Sequence, residues 1–406
     1  MLRKVKEKIK RNMTESIAKK RLDEMSEKSE IRHRLFLVNT IRRFTKIQKN
    51  KIVFLNFSGN YDCNVKYIAQ EIRKRGLDYE LVFGTFSHNK LDGLDNFPSD
   101  VHVVIRDSFD FYHHLASARV IFDNSINLAL LGYKKKHGQT LIETWHGAMG
   151  IKMFGPEGND DVVWHNLARK EAKQTNFIIS NSDLEDLVYR RTFWQKTKIL
   201  QYGHPRNDVL FQDSKELKTK ICNRYNIPLN HKLCLYAPTF RDDHNQNIFM
   251  IDVDNVKNAL AQKFGGEWTI LFKHHDGMVR TYWDKLQCPK GVTNVSDYPD
   301  IQELMSVIDA GITDYSSWIC EYMLRKKPGF LFAPDYKQYI NNERTLLMPL
   351  EDYPFPLTQS EEELAKVILN FDDKKYQKQC DEFMTKHKNV DDGSASKKVV
   401  DFIQKL

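Results

Sequence analysis

A histidine directly follows the strand-like stretch 139–145, within Thr144-Trp145-His146-Gly147-Ala148-Met149-Gly150. Imidazole takes a proton near neutral pH, and Gly147 and Gly150 let backbone approach a ligand closely. The plain alternative is a histidine bonded to a neighbouring strand end. A second apolar run leads into Tyr236-Ala237-Pro238-Thr239-Phe240-Arg241. There Thr239 and Arg241 offer a hydroxyl and a guanidinium to a phosphate, unless the segment is an ordinary turn. In Lys273-His274-His275 a cation and two histidines leave a strand end. Adjacent strand residues point to opposite faces, so one histidine faces a ligand and the other is structural, which argues against a chelating pair. The segment Ala310-Gly311-Ile312-Thr313-Asp314-Tyr315-Ser316-Ser317 reads as a strand ending at Thr313. Ser316 or Ser317 then opens a helix running to Leu324, where hydroxyls and unpaired N–H groups suit a phosphate or simply cap the helix. Glu321, four residues beyond Ser317, shares a helix face with it. Asp252-Val253-Asp254 matches the Asp-x-Asp pattern that holds a divalent ion in some glycosyltransferases. It also precedes a helix spanning Val256–Phe264, where acidic residues belong in any case. A complete P-loop and a Gly-x-Gly-x-x-Gly after a strand are absent.

These groups need a scaffold that delivers strand ends to one place. Apolar strands are expected at Lys51–Phe57, Tyr79–Gly84, Val101–Arg106, Val120–Asp123, Thr140–Trp145, Phe177–Asn181 and Ile199–Tyr202. A second series is expected at Lys232–Ala237, Trp268–Lys273, Ala310–Thr313 and Gly329–Ala333. Helical patterns such as Val65–Arg75 and Asp183–Arg191 lie between them. This alternation predicts an α/β protein with parallel sheets, in two successive units divided near Gly203-His204-Pro205 and closed by polar helices from Glu361 to Leu406. Ligands of such folds bind at the carboxyl ends of strands, here in a cleft between the units.

The 406 residues suit two to three domains, and 41% hydrophobic with 29% charged residues excludes a disordered or collagenous chain. No apolar run approaches the roughly 20 residues of a spanning helix, and charges interrupt any signal-peptide core. Six scattered cysteines without a Cys-x-x-Cys pair read as reduced thiols of a cytoplasmic protein. Of the net charge of +8, residues 1–50 contribute 16 Lys/Arg against 6 Asp/Glu, leaving 46 against 48 elsewhere. A nucleic-acid binder would spread its basic residues over the folded surface; this is a near-neutral body with a basic arm. In the arm, Leu2, Val5, Ile9, Met13 and Ile17 recur at helical spacing, followed by Ile31, Leu35, Val38 and Ile41 with Arg42 and Arg43. Such a helix suits an anionic membrane surface, the plain alternative being packing on its own domain or on a second subunit.

Taken in order, the motifs resemble the CDP-glycerol glycerophosphotransferase family, which makes wall teichoic acid and related bacterial capsular polymers. The resemblance rests on Phe57-Ser58-Gly59-Asn60-Tyr61, Trp145-His146-Gly147 with Lys152 and Phe154-Gly155, and Gly203-His204-Pro205-Arg206-Asn207-Asp208. It continues through Ala237 to Arg241, Ser296-Asp297-Tyr298, Ile312 to Ser317 and Lys327-Pro328. It implies two Rossmann-like domains arranged as in glycosyltransferase-B folds: a basic helical arm at 1–50, an acceptor-side domain at 51–202, and a CDP-donor domain at 203–406. It implies transfer of a polyol phosphate, glycerol phosphate foremost, from a CDP-activated donor to a lipid-linked saccharide or growing polymer. CMP is released, with neither cofactor nor metal, by a peripheral enzyme on the cytoplasmic face of the membrane. By resemblance His146 is the general base, His275 stands near the donor phosphates, and Ser316 and Ser317 hold the diphosphate. Thr239, Arg241, Lys273, Thr313 and Glu321 complete the donor site. Lys273 stands where the family commonly has arginine, and Glu321 where some members have aspartate. The short arm suits priming or short extension. The competing expectation is a metal-dependent sugar-nucleotide glycosyltransferase built on Asp252 and Asp254.

Overall fold

The computed structural model describes residues 35–86, 96–147, 150–155, 162–241, 246–275 and 286–406. The stripe from Leu2 to Ile17, together with Ile31, Ala148 and Met149, lies outside the described residues.

Two parallel sheets organise the chain. The first contains β1 (Gln48–Leu55), β2 (Glu80–Thr85), β3 (His102–Ile105), β4 (Ala118–Asp123), β5 (Thr140–Glu143), β6 (Phe177–Ser180) and β7 (Lys198–Gln201). Its order is β3-β2-β1-β4-β5-β6-β7. The second contains β8 (Lys232–Tyr236), β9 (Trp268–Phe272), β10 (Thr293–Asn294), β11 (Ala310–Thr313), β12 (Gly329–Phe332) and β13 (Leu357–Thr358), in the order β10-β9-β8-β11-β12-β13. Both sheets run outward from their first strand in one direction and then reverse, the doubly wound pattern whose reversal opens a crevice at the strand carboxyl ends. Every strand expected from the sequence is present within a few residues. The two-residue strands β10 and β13 carry too little pattern to be read. Helices cover both faces, so central strands read as continuous apolar runs: Ile52, Val53, Phe54 and Leu55 are all fully buried.

Two boundaries differ from the sequence reading. Residues 35–44 are helical, and Val38 and Ile41 are buried in one core cluster with Tyr112, Leu115 and Leu131. The end of the basic arm is therefore part of the body. At the other end, the helix Ala395–Ile403 does not close the second sheet. Its Val399, Val400 and Ile403 join the core of Ile52, Phe54 and Ile68, and Phe402 packs edge-on against Phe177 at 4.8 Å. The reason is local. Asp208 accepts from the N–H groups of Ala395 and Ser396 at 2.9 and 2.8 Å, fastening that helix's start beside the first sheet.

Candidate active site

The strand ends face one another across a cavity of about 380 Å³, lined from both halves. On the first side, the turn after β5 carries His146. Its Nδ1 lies 2.6 Å from the Asn124 carbonyl, just after β4. A carbonyl oxygen only accepts, so Nδ1 carries the proton and Nε2 is left as the basic nitrogen. The ring is held between Phe57 and Trp145, each centroid 4.6 Å away. Trp145 adopts φ +52°, an unusual conformation for a bulky residue. It is held there by its N–H donating to Glu143 Oε1 at 2.7 Å and by Asn64 Nδ2 donating to its carbonyl at 3.0 Å. Burial, with the Arg206 and His275 charges adding to it, pushes the His146 imidazole down to about 4, so it is neutral at pH 7.

On the second side, Thr239 follows β8, Lys273 and His275 follow β9, and Ser316 and Ser317 follow β11, all lining the cavity. The Thr239 hydroxyl is buried without a hydrogen-bond partner among the described residues. Ser317 precedes the short helix Trp318–Tyr322 without capping it through its side chain. It faces the first half directly, since a Cβ on Gly147 would lie 3.7 Å from Ser317 Oγ. The buried Lys273 donates Nζ to the Tyr298 carbonyl at 2.9 Å. Lys152, Arg206 and Arg344 bring further positive charge to the lining. The arrangement sets a neutral base against hydroxyls and cations suited to an anionic ligand.

The profile of the CDP-glycerol:poly(glycerophosphate) glycerophosphotransferase family matches residues 37–405. The chain belongs to this family. It is similar to the teichoic acid poly(glycerol phosphate) polymerase of Staphylococcus epidermidis, with 30% identity over 88% of this chain and 51% of that protein. The Bacillus subtilis polymerase of the same name is 28% identical over 88% of this chain and 49% of that protein. The chain thus spans about half the length of these two relatives. The teichoic acid glycerol-phosphate transferase of Staphylococcus aureus is 27% identical over 92% of this chain and 98% of that protein. Among solved structures, a histidine variant of the wall teichoic acid polymerase TagF superposes with a TM-score of 0.78. It is 28% identical and covers 93% of this chain and 95% of that one.

In this glycerophosphotransferase-family member, His146, His275, Thr239, Lys273, Ser316, Ser317 and Glu321 all line the same cavity. Arg241 and Thr313 do not. Arg241 is buried in ion pairs with Asp314 and Asp335, each at 2.8 Å, and lies over the Tyr315 and Tyr339 rings. Thr313 Oγ1 donates to the Ala237 carbonyl at 2.7 Å. Both hold the loops that present Thr239 and Ser316 instead of reaching the cavity themselves. Of the adjacent histidines, His274 is buried, with Nε2 2.9 Å from the Gln287 carbonyl, whereas His275 is exposed towards the cavity. Glu321 is committed to Arg206 and to Gln302 Nε2, the latter at 3.1 Å. Asp252 and Asp254 lie outside the lining. Asp252 Oδ1 caps the helix Val253–Phe264, accepting from Asn255 N at 3.0 Å.

The segment 203–208, a break between units and a family marker in the sequence, ties distant elements together in the structure. Gly203, at φ +85°, turns the chain against Asp391, where a Cβ would come within 2.8 Å of Oδ1. His204 pairs with Glu185 at 2.9 Å; although burial opposes it, that carboxylate raises the imidazole above its ordinary range. Arg206 spans the two halves. Its Nη1 donates to the His146 carbonyl at 2.7 Å, its Nη2 to Glu321, and its backbone N–H to Asn64 Oδ1 at 3.1 Å. An arginine after proline in a Gly/Pro turn looks exposed in sequence, and only its partners, far away in the chain, reveal its burial.

Proposed function

We propose that the chain transfers a polyol phosphate from a CDP-activated polyol to an acceptor hydroxyl. The observation that carries this reading is the neutral His146, with Nε2 as its basic nitrogen, across one cavity from Thr239, Lys273, His275, Ser316 and Ser317. The acceptor oxygen bonds to the phosphorus bearing the polyol, and the P–O bond to CMP breaks. His146 Nε2 takes the acceptor proton, and the groups from the second sheet stabilise charge on the transferring phosphoryl and on CMP. Family membership and the teichoic acid relatives support a CDP-polyol donor, glycerol phosphate foremost. The two doubly wound sheets with a cleft between them support a pair of Rossmann-like domains in a glycosyltransferase-B-like arrangement. Incubation with CDP-glycerol and an acceptor should release CMP, with EDTA causing no loss of rate. Release of a nucleoside diphosphate, or abolition by EDTA, would move the assignment to a sugar-nucleotide glycosyltransferase.

The acceptor in this reading is lipid-linked, met at the cytoplasmic face of the bacterial membrane. Support comes from the basic arm and from the exposed Phe36, Phe44 and Phe109, with Arg43 and Lys46 exposed on the same segment as the first two. Exposed apolar side chains beside basic residues match an anionic bilayer surface. Because Val38 and Ile41 are core residues, the informative truncation removes residues 1–34 and leaves the helix 35–44 in place. That truncation should weaken binding to anionic vesicles and slow transfer to a lipid-linked acceptor, with little change for a soluble acceptor analogue. Equal loss on both acceptors would make the arm structural, serving the fold or a homo-oligomer.

A further inference from the structure

Behind the His146 turn lie three buried carboxyls that the proposed chemistry does not use. Asp123 ends β4, Glu143 ends β5 and Glu171 projects from the helix Val162–Gln174; all three are fully buried. One oxygen of each lies within 4.8 Å of the others. Asp123 accepts from Ser125 N, Asn127 Nδ2 and Leu128 N at 3.0, 2.6 and 3.1 Å. Glu143 Oε1 accepts from Trp145 N at 2.7 Å, and Glu171 Oε2 from Ala129 N at 2.6 Å. Two oxygens have no partner among the described residues: Glu143 Oε2 and Glu171 Oε1. Arg106 faces Asp123 but also donates to Asn127 and Gly84, and Tyr189, from the helix Asp183–Arg191, faces Glu143 as a phenol. Three negative charges at this depth of burial cost more than that surrounding can offset.

We propose that one proton bridges Glu143 Oε2 and Glu171 Oε1, and that this carboxyl pair is a positioning clamp for the His146 turn. A proton retained in the cluster supplies the donor that its two unpartnered oxygens lack, among carboxyls whose oxygens lie within 4.8 Å of one another. The clamp's remaining oxygen on Glu143 holds Trp145 N, and so maintains the left-handed Trp145 that presents His146. Asp123 completes the mounting. Its carbonyl accepts from Thr144 N at 2.7 Å, and the next carbonyl, Asn124, fixes the His146 tautomer. Burial, with the Asp123 charge adding to it, raises both glutamates well above the ordinary carboxyl range, in keeping with a retained proton.

The role in catalysis rests on His146 acting as the base; the clamp itself does not. The test uses full-length wild type, E143Q and E143A, with thermal unfolding from pH 5 to 9 and CMP release from CDP-glycerol. In E143Q the amide oxygen still accepts from Trp145 N and the amide N–H donates to Glu171. E143Q should therefore keep turnover within about threefold, whereas E143A should lose about tenfold or more in kcat with a smaller change in KM. The folded state holds a proton that the unfolded chain releases above about pH 4.5. Wild type should therefore lose Tm relative to E143Q as pH rises. A pH-independent Tm difference, or equal turnover loss in both variants, overturns the clamp. A wild-type Tm lowered by EDTA and restored by Mg²⁺ or Ca²⁺ overturns it in favour of a cation site. If wild type releases no CMP, the proposed function fails, yet the pH dependence of Tm still decides the clamp.

Discussion

His146→Ala is expected to lower kcat for CMP release by about 10²–10⁴-fold, the usual contribution of a positioned base. Donor binding should change little, because the groups proposed to face the donor come from the second sheet. Equilibrium binding of CDP-glycerol together with single-turnover CMP release measures both quantities. Full activity in the variant would end the assignment. A pH signature accompanies it. In the free protein the imidazole sits at about 4, so kcat/KM should stay level on its acid side down to well below pH 6. A bound diphosphate favours the imidazolium, so the acid limb of kcat should lie at higher pH than that of kcat/KM. Stability carries the same sign. The folded pKa lies below the unfolded value of 6.5, so the unfolded chain takes the proton first. Stability should therefore fall as pH drops from about 6.5 towards 4, and His146→Ala should flatten that slope.

Arg206→Ala is expected to cost about 3–5 kcal/mol of stability, because it leaves Glu321 buried and unpaired. Burial pushes the Glu321 carboxyl up, and Arg206 is the largest of the groups opposing that shift. The variant should also lose activity, since Arg206 holds the His146 carbonyl and joins it to the helix after Ser317. Denaturant unfolding gives the first quantity and CMP release the second. Replacing both partners with leucine should recover most of the stability but not the activity, because the link to His146 stays broken. A loss below about 1 kcal/mol in Arg206→Ala would mean that the pair behaves as a solvated surface bridge.

Much of the site could be read along the chain because its residues sit at strand ends. Apolar runs such as 233–237 and strand-like segments such as 139–145 locate the strands, and the doubly wound pattern sends whatever follows them to a common cleft. His146, Thr239, Lys273, His275, Ser316 and Ser317 follow this rule to the cavity lining. Arg241 and Thr313 satisfy the same rule and still miss the cavity. Residue type says what a side chain could bind, whereas the neighbours Asp314, Asp335 and Ala237 decide what it does bind. Segment 203–208 is visible as a break and a family marker, but the roles of His204, Arg206 and Asp208 depend on partners 19 to 187 residues away in the chain.

The sequence by itself determined the α/β class, the two strand series, the basic amino terminus and the family, since each follows from local periodicity or from short motifs in order. Only the tertiary structure decided that the 35–44 helix and the last helix belong to the first sheet, and that Arg206 joins the halves. It alone decided that Asp123, Glu143 and Glu171 cluster behind the His146 turn. Those are questions of which buried group pairs with which, and burial without a partner is costly. A linear pattern records that a residue is polar; the fold alone decides which distant residue satisfies it.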